Sequence, residues 1–209
     1  MSSNQTERKK SAAKAAAILD GARQEFLANG YAATSMDRVA AAAGVSKATV
    51  YSHFQDKARL FSAVMKRLAA DRFQTMLFDP NDEHTLKGEP RAVLSNLAQN
   101  LLDEAACDPS FCEFMRLIVG ESGRFPELGD PYVQDVAKPL IEALTRYLEG
   151  CKELALDDPE AIARTFIGTL VYFIILQRVL GGASQMPMEG DRITETLVNL
   201  IVPPNQNAT

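Results

Sequence analysis

Apolar residues recur along the chain at helical rather than strand spacing. Near the start, Ile18, Ala22 and Phe26 lie four residues apart, as on one face of a helix predicted over about 8–29. Gly30 follows that face and is well placed to end the helix in a left-handed conformation. Strand-like alternation is missing, and Gly and Pro fall at spacings that suit helices of about 10 to 25 residues. The pattern predicts an all-α fold.

Two short helices and one longer helix are predicted next. The sequence TSMD over 34–37 has the spacing of a helix capping box, with aspartate as its fourth residue. The helix that begins there ends at Gly44, and Ser46 is a natural N-cap for a helix over 47–53. The longer helix is predicted over about 56–77.

A polar loop over 81–90 is the expected domain boundary. The predicted domains are therefore residues 1–56, a connecting helix over 57–78, and a second domain over 79–209. Pro139 falls inside one predicted helix of the second domain and should kink it. The helices expected in the second domain cover 91–106, 110–121, 131–151, 158–180 and 190–201.

One stretch of the second domain, residues 165–177, carries no charge. It is too short to span a bilayer, which requires about 20 apolar residues. A helix that is apolar on nearly all sides must be covered on nearly all sides. Either it is the central helix of the monomer, or a second copy of the chain covers one face, which we favour. The residues expected at such an interface are Ile167, Val171, Ile174, Ile175 and Leu197.

Composition and charge indicate a globular protein with one basic end. The chain has 209 residues, of which 46% are hydrophobic and 23% charged, as in a soluble globular protein. Residues 1–78 carry twelve Lys/Arg against six Asp/Glu, whereas residues 79–209 carry ten against twenty-one. A basic first third on an acidic body suggests that one end meets a polyanion. An odd number of cysteines and a polar N-terminus favour a reducing cytosol over secretion.

The sequence AGVSKATVYSHF over 43–54 has the features of a helix-turn-helix. Gly44 supplies the tight turn, Ser46 caps the second helix, and Val50 and Phe54 hold that helix to the core. A helix of this size fits the DNA major groove, and its N-terminal half meets base edges. The alternative is a helical corner with a solvated face. The side chains left wholly or partly outward are Lys47, Ala48, Thr49, Tyr51, Ser52 and His53.

Residues 10–66, above all TSMDRVAAAAGVSKATVYSHFQDKARLFSAV, resemble the DNA-binding domain of the TetR family of bacterial repressors. The shared pattern is the T-S helix start, the A-G-V-S turn, the Y-x-x-F helix end and a Lys three residues later. Ala48 and Arg59 depart from it, since glycine and an acidic residue are common there. The sequence FMRLIVGESGRFPELG over 114–129 resembles the C-terminal domain of AefR-like members.

The resemblance implies roles for individual residues of the first domain. Lys47, Ala48 and Tyr51 would contact base edges, with Lys47 donating to guanine and the Ala48 methyl packing on a thymine methyl. Contacts to phosphates, which fix register without reading sequence, would come from Ser35, Thr49, His53 and Lys57. For His53 the alternative is an imidazole partly packed at a helix end, and for Tyr51 it is a ring half-buried beside Phe54.

For the remaining helices the resemblance implies a ligand-sensing and dimerisation domain. A homodimer would present two recognition helices to a palindromic operator on double-stranded DNA, and a small, largely apolar effector would release it by shifting the helix over about 56–77. The same apolar side chains also suit a plain core. The candidate pocket residues are Phe111, Phe114, Ile118, Phe166, Leu170 and Phe173.

Other functions are weighed against this one. An enzyme is not expected, because the sequence has no phosphate-cradling Gly-rich loop, no metal-ligand spacing and only two histidines, His53 and His84. We accordingly expect no cofactor, no metal, no membrane partner and a location in the bacterial cytoplasm. A ligand-independent regulator, an activator, and a regulator sensing redox state through Cys107 and Cys112 stay open as alternatives.

Overall fold

The protein is all-α over the part of the chain that the structure, a computed structural model, describes. The description covers residues 2–75, 79, 86–107 and 109–203, with side chains for 7–74, 79, 86–103 and 112–203. The α-helices are α1 Ser2–Ala33, α2 Met36–Ala42, α3 Lys47–His53, α4 Lys57–Thr75, α5 Pro90–Cys107, α6 Pro109–Glu121, α7 Gly129–Tyr132, α8 Lys138–Gly150, α9 Pro159–Ile174 and α10 Gly190–Ile201. Short 3-10 turns lie at Pro126–Leu128, Lys152–Leu154 and Gly182–Ser184, and π-helical turns at Val133–Ala137 and Ile175–Val179.

The chain divides into two compact units. The first comprises the chain up to residue 69 together with residues 116–133, and the second comprises residues 70–115 and the chain from 134 onward. This division differs from the expected boundaries, which placed all of 79–209 in one domain. The end of α6 and the turn after it pack with the N-terminal helices, where Glu121 and Glu127 bond to Tyr31.

The first unit is built on the predicted apolar face of α1. Ile18, Ala22 and Phe26 are completely buried, and so are Val50 of α3 and Phe61 of α4. Helix α1 reaches Ala33 rather than ending near residue 29, but it is broken at Gly30, whose φ is 75°. The positive φ predicted at this glycine is therefore present inside a longer helical run, but its ψ of 170° is extended rather than left-handed helical.

Side-chain caps set the starts of the next helices. The Ser35 hydroxyl accepts a hydrogen bond from the Arg38 N–H, and the Ser46 hydroxyl accepts one from the Thr49 N–H. Asp56 accepts in the same way from the Arg59 N–H at 2.8 Å, before α4 begins at Lys57. These are the positions that the sequence suggested, because Ser and Asp compete well for the free N–H groups of a first turn.

The second unit packs α8 and α9 together and α5 against α9 and α10. Leu94, Leu144, Phe166 and Leu170 are fully buried between these helices. The predicted helix over 131–151 is divided into α7, a π-helical turn and α8. Pro139 lies in the first turn of α8, directly after the π-helical turn at Val133–Ala137, so the helical hydrogen-bond pattern changes just before the residue predicted to kink the helix.

Helix α9 continues through the π-helical turn to Val179. The run Pro159–Val179 is long and apolar enough to cross a membrane by length and composition alone, although only 28% of its most apolar stretch is buried within the chain. This run is longer than the uncharged stretch over residues 165–177, which by itself is too short to span a bilayer. Most of the predicted loop over 81–90 lies outside the described residues, and α5 begins at Pro90.

Candidate nucleic-acid interface

The turn between α2 and α3 holds two short helices at a fixed angle. Gly44 adopts a φ of 64°, a backbone conformation that a side chain would strain. The Val45 N–H donates to the Ala40 carbonyl at 3.1 Å and closes the turn. On the other side of α2, Gly21 of α1 lies so close to Ala43 that an added Cβ would be 2.9 Å from the Ala43 nitrogen. Glycine is needed there for helix approach, a role that periodicity alone does not reveal.

The outward face of α3 carries the residues that the sequence singled out. Lys47, Ala48, Tyr51 and Ser52 are exposed, while Thr49 and His53 are half-buried. Tyr51 keeps 43% of its surface accessible, far more than an aromatic ring held in a core. The ring centroids of His53 and the half-buried Phe54 are 6.1 Å apart.

The Lys47 ammonium is paired with a carboxylate of the preceding helix. Its Nζ lies 2.8 Å from Oδ1 and 3.0 Å from Oδ2 of Asp37, and 5.9 Å from the centroid of the Tyr51 ring. Both charged side chains are about 60% exposed. The hydrogen bond to Asp37 raises the pKa of Lys47, so the ammonium stays protonated. Asp37 was recognised in the sequence only as a capping residue.

Hydroxyl groups near the start of α3 bond to one another or to the backbone. The Ser46 and Thr49 hydroxyls are 2.8 Å apart, and the Ser52 hydroxyl donates to the Thr49 carbonyl. Ser35, at the start of α2, is exposed and accepts from its own helix. These hydroxyls keep lone pairs or protons that can be redirected, since a hydroxyl both donates and accepts.

Lys57, which the family resemblance predicts to hold a phosphate, bonds to the backbone of the first unit. Its Nζ donates to the carbonyls of Tyr31, Ala32 and Thr34 at 2.7, 3.3 and 3.1 Å. An ammonium has three protons, so all of its donors are used within the chain. The Nζ also lies 4.4 Å from the centroid of the Tyr31 ring. Burial lowers the pKa of Lys57, and Glu121 and Glu127 oppose that effect.

The same turn at the end of α1 is held by carboxylates from the segment 116–133. Glu121 accepts from the Tyr31 and Ala32 N–H groups at 2.9 and 3.2 Å, and the Tyr31 hydroxyl donates to Glu127 at 3.3 Å. The Tyr31 ring packs edge-on against Phe125, with centroids 5.1 Å apart. Sequence reasoning missed these residues because their partners lie about 90 positions away.

The six candidate pocket residues do not share one environment. Phe114, Phe166 and Leu170 are buried in the core of the second unit. Ile118 is buried too but belongs to the first unit, and the Phe111 side chain lies outside the described residues. Among the five whose side chains the structure describes, Phe173 lines the cavity described next.

A cavity of about 400 Å³ lies in the second unit beside the π-helical turn at the end of α9. Its wall is both apolar and charged, so it is more polar than the predicted pocket. Gln177, itself buried, donates to the Met186 carbonyl at 2.7 Å and fixes the loop that forms one side. The lining includes Leu102, Asp103, Phe173, Gln177, Arg178 and Met188.

The five residues expected at a dimer interface are mostly turned inward. Ile167, Ile174 and Leu197 are at most 6% exposed, and Val171 and Ile175 are half-buried. The three buried residues belong to the core of the second unit, where α9 packs against α5, α8 and α10. Large apolar side chains that do face outward on these helices are Tyr172 of α9 and Leu200 of α10, at 63% and 75% exposed.

Of the proposed redox pair, the Cys112 side chain is buried, and the Cys107 side chain lies outside the described residues. Among the described residues, no group of three His, Cys, Asp or Glu side chains is arranged to hold a metal ion.

Two family models match the chain. Residues 18–64 match the bacterial regulatory proteins of the tetR family, and residues 92–202 match the C-terminal domain of AefR-like transcriptional repressors. The HTH-type transcriptional regulator YhgD of Bacillus subtilis is 40% identical over 166 residues, which are 76% of this chain and 80% of that protein. A DNA-binding transcriptional repressor TetR of Mycobacteroides abscessus is 28% identical over 81% of this chain and 96% of its own.

Other curated relatives match over a shorter part. The chain spans 48% of the transcriptional repressor SCO4008 of Streptomyces coelicolor and 41% of the regulator AcrR of Shigella flexneri.

Solved structures share the fold. A TetR-family regulator from Mesorhizobium loti superposes with a TM-score of 0.72 at 24% identity, over 91% of this chain and 96% of its own. FadR of Bacillus subtilis, solved with stearoyl-CoA, gives a TM-score of 0.63 at 17% identity, over 90% and 97%. AibR, solved with isovaleryl coenzyme A and operator DNA, gives 0.61 at 20% identity, over 91% and 99%. With an N-terminal helix-turn-helix and an AefR-like second domain both matched, the chain belongs to the TetR family of DNA-binding transcriptional regulators.

Proposed function

We propose that the protein is a repressor that reads a palindromic operator through α3 and leaves it when a small molecule binds the second unit. The observation that carries this proposal is the exposed face of α3, where Lys47, Ala48 and Tyr51 lie outward on a helix anchored by the buried Val50. Side chains at the N-terminal end of a recognition helix meet base edges in the major groove.

Binding as a homodimer is the second part of the proposal. Only 28% of the apolar stretch of Pro159–Val179 is buried within one chain, so a second copy of that helix has a surface to cover. We place the interface on the outward face of α9 and α10, with Tyr172 and Leu200 in it, rather than on the buried residues expected from the sequence. Two-fold symmetry would then require a two-fold symmetric operator.

The dimer is tested by molar mass in solution. Tyr172→Glu and Leu200→Glu would each place a charge in the apolar contact and yield a monomer, measured by light scattering after gel filtration. Val119→Glu, at an apolar side chain of α6 that is 59% exposed, is the matched control and should leave the dimer intact. A monomeric wild-type protein, or a dimer unaffected by both α9 and α10 substitutions, would contradict this interface.

For the effector we propose a molecule with a large apolar part. Two proteins of the same fold, FadR and AibR, were solved with acyl-coenzyme A compounds. The cavity beside Phe173 and Gln177 combines apolar and charged walls, which suits an apolar chain attached to a polar group. An activating or ligand-independent regulator, and a redox regulator using Cys107 and Cys112, are the alternatives. A regulator of this kind would work in the bacterial cytoplasm, without an enzymatic activity, cofactor or membrane partner.

Selection from random double-stranded DNA tests the proposed function. The wild-type protein should retain a palindromic motif, and the Lys47→Ala/Tyr51→Ala variant should not. Acyl-coenzyme A compounds of different chain length, added to the protein on the selected duplex, should release it at a chain length that fits the effector site. Retention of duplexes without a shared motif would contradict base reading, whereas a motif with no release by these compounds would contradict only the proposed effector class.

A further inference from the structure

The ion pair between Asp37 and Lys47 has an unusual position for a structural contact. Both side chains are about 60% exposed, and the Lys47 Nζ lies 5.9 Å from the ring centroid of Tyr51, a residue of the face proposed to meet DNA. Ion pairs as exposed as this one contribute little to stability. A carboxylate on a surface that approaches phosphates is also repelled by them, so its presence there needs a compensating interaction.

The geometry of the pair matches one edge of a base pair. In the major groove a C·G pair presents the cytosine N4 amino group as a donor and the guanine O6 as an acceptor. These two atoms are joined by a Watson–Crick hydrogen bond, so they lie about 3 Å apart. The Lys47 Nζ, a donor, and the Asp37 carboxylate oxygens, which are acceptors, lie 2.8 and 3.0 Å apart. Donor can therefore face acceptor at both atoms.

We propose, on the basis of the proposed function, that Asp37 is a specificity-determining residue that accepts from cytosine N4 while Lys47 donates to the guanine of the same base pair. Cytosine N4 carries a second proton that the Watson–Crick bond does not use, and that proton points into the major groove. The exposed carboxylate of Asp37 has lone pairs free beyond its bond to Lys47. The contact would form without breaking the ion pair.

Other base pairs fit this arrangement less well. A reversed G·C pair exchanges the donor and the acceptor, so Lys47 would face the amino group and Asp37 the O6 atom. An A·T pair offers the same inner donor and acceptor, adenine N6 and thymine O4, so its discrimination rests on the next atom: the thymine methyl lies beside O4, whereas guanine offers O6 and N7 together to an ammonium. The pair of side chains therefore favours C·G in one orientation.

The test compares base preferences after selection from random duplexes. In the wild-type protein, one position of each half-site should prefer cytosine, paired with guanine. Asp37→Ala should reduce that preference about tenfold and leave the other positions unchanged. Lys47→Ala should weaken the base preference at the same position. Asp37→Asn should shift it from cytosine to adenine, because an amide side chain pairs with adenine N6 and N7. A purely structural ion pair would produce no change of preferred base.

Asp20→Ala is the matched control for charge. Asp20 is an exposed carboxylate of α1 that pairs with Arg67 at 3.0 Å, so its loss changes the net charge equally without touching α2 or α3. It should leave every position of the motif unchanged. Identical motifs for the wild type, Asp37→Ala and Asp37→Asn would overturn the inference while leaving the proposed function intact. Failure of the wild type to select any motif would instead overturn the proposed function.

Discussion

The carboxylate of Glu121 accepts a hydrogen bond from the backbone N–H of Tyr31 at 2.9 Å, and its second oxygen accepts from the next N–H at 3.2 Å. Glu121 ends α6, and Tyr31 follows the break in α1 at Gly30. One side chain from the middle of the chain thus caps a turn that leads directly into the helix-turn-helix. The ammonium of Lys57 donates to the carbonyls of the same two residues, Tyr31 and Ala32.

Removing the Glu121 carboxylate should destabilise the first unit. In Glu121→Ala two N–H groups lose their acceptor, and we expect a loss of about 1–2 kcal/mol in the free energy of unfolding, since hydrogen bonds to a charged group are stronger than neutral ones. Glu121→Gln keeps one carbonyl acceptor and should lose less. Urea denaturation measures both. Equal stability of Glu121→Ala and the wild type would show that water replaces the carboxylate at no cost.

Gly30 should tolerate substitution least among three glycines of the first unit. Its φ is positive, and an added Cβ would lie 2.7 Å from the Glu121 carboxylate oxygen. Gly30→Ala should therefore cost about 1–3 kcal/mol from backbone strain, and more if Glu121 has to move. Gly44→Ala has the strain without the close contact. Gly120→Ala has neither and is the control. The loss of thermal stability should decrease in the order Gly30→Ala, Gly44→Ala, Gly120→Ala. A different order would contradict the close contact of Gly30 with Glu121.

Substitution of Lys57 tests whether its ammonium stabilises the fold or contacts a DNA phosphate. Lys57→Met removes three hydrogen bonds to carbonyls and should lower the free energy of unfolding by about 1–3 kcal/mol. If Lys57 only held a phosphate, its loss would leave the free energy of unfolding unchanged. The salt dependence of DNA binding would then correspond to about one phosphate contact fewer. Lys14→Met, at an exposed lysine of α1, is the control for charge. Unchanged stability with a smaller salt slope would restore the phosphate role inferred from the family resemblance.

Tyr31 should make stability fall at high pH. Burial, then the charge and hydrogen bond of Glu127, raise the pKa of Tyr31 to about 12, above the ordinary value of 10.0. The folded state therefore keeps a proton that the unfolded state loses, so stability is full below about pH 10 and is lost as pH rises through about 12. Tyr31→Phe should flatten this fall in urea denaturation from pH 9 to 11.5. Tyr172→Phe, at an exposed ring, should not.

The structural features that could be predicted from the sequence are those determined by residues close to one another in the chain. The cap at Ser46, the turn at Gly44 and the buried face of α1 follow from residue type and spacing over a few positions, and each is present. The placement of Lys57 and the role of Glu121 could not be predicted, because each depends on a partner brought close only by tertiary packing. The candidate pocket and interface residues stay predictions for a related reason: apolar residues at helical spacing fill a core, a cavity or an interface alike, and Ile167 and Leu170 are buried within one chain.

The central claim is that α3 reads base sequence, and the ratio of specific to non-specific affinity measures it most directly. Binding of the wild type to its selected duplex and to a scrambled duplex of the same composition would be compared by fluorescence anisotropy at one fixed salt concentration. We expect a ratio on the order of a thousand or more for the wild type, as for sequence-specific regulators, and a ratio near one for Lys47→Ala/Tyr51→Ala. A ratio near one for the wild type, or an undiminished ratio in the variant, would contradict base reading by α3.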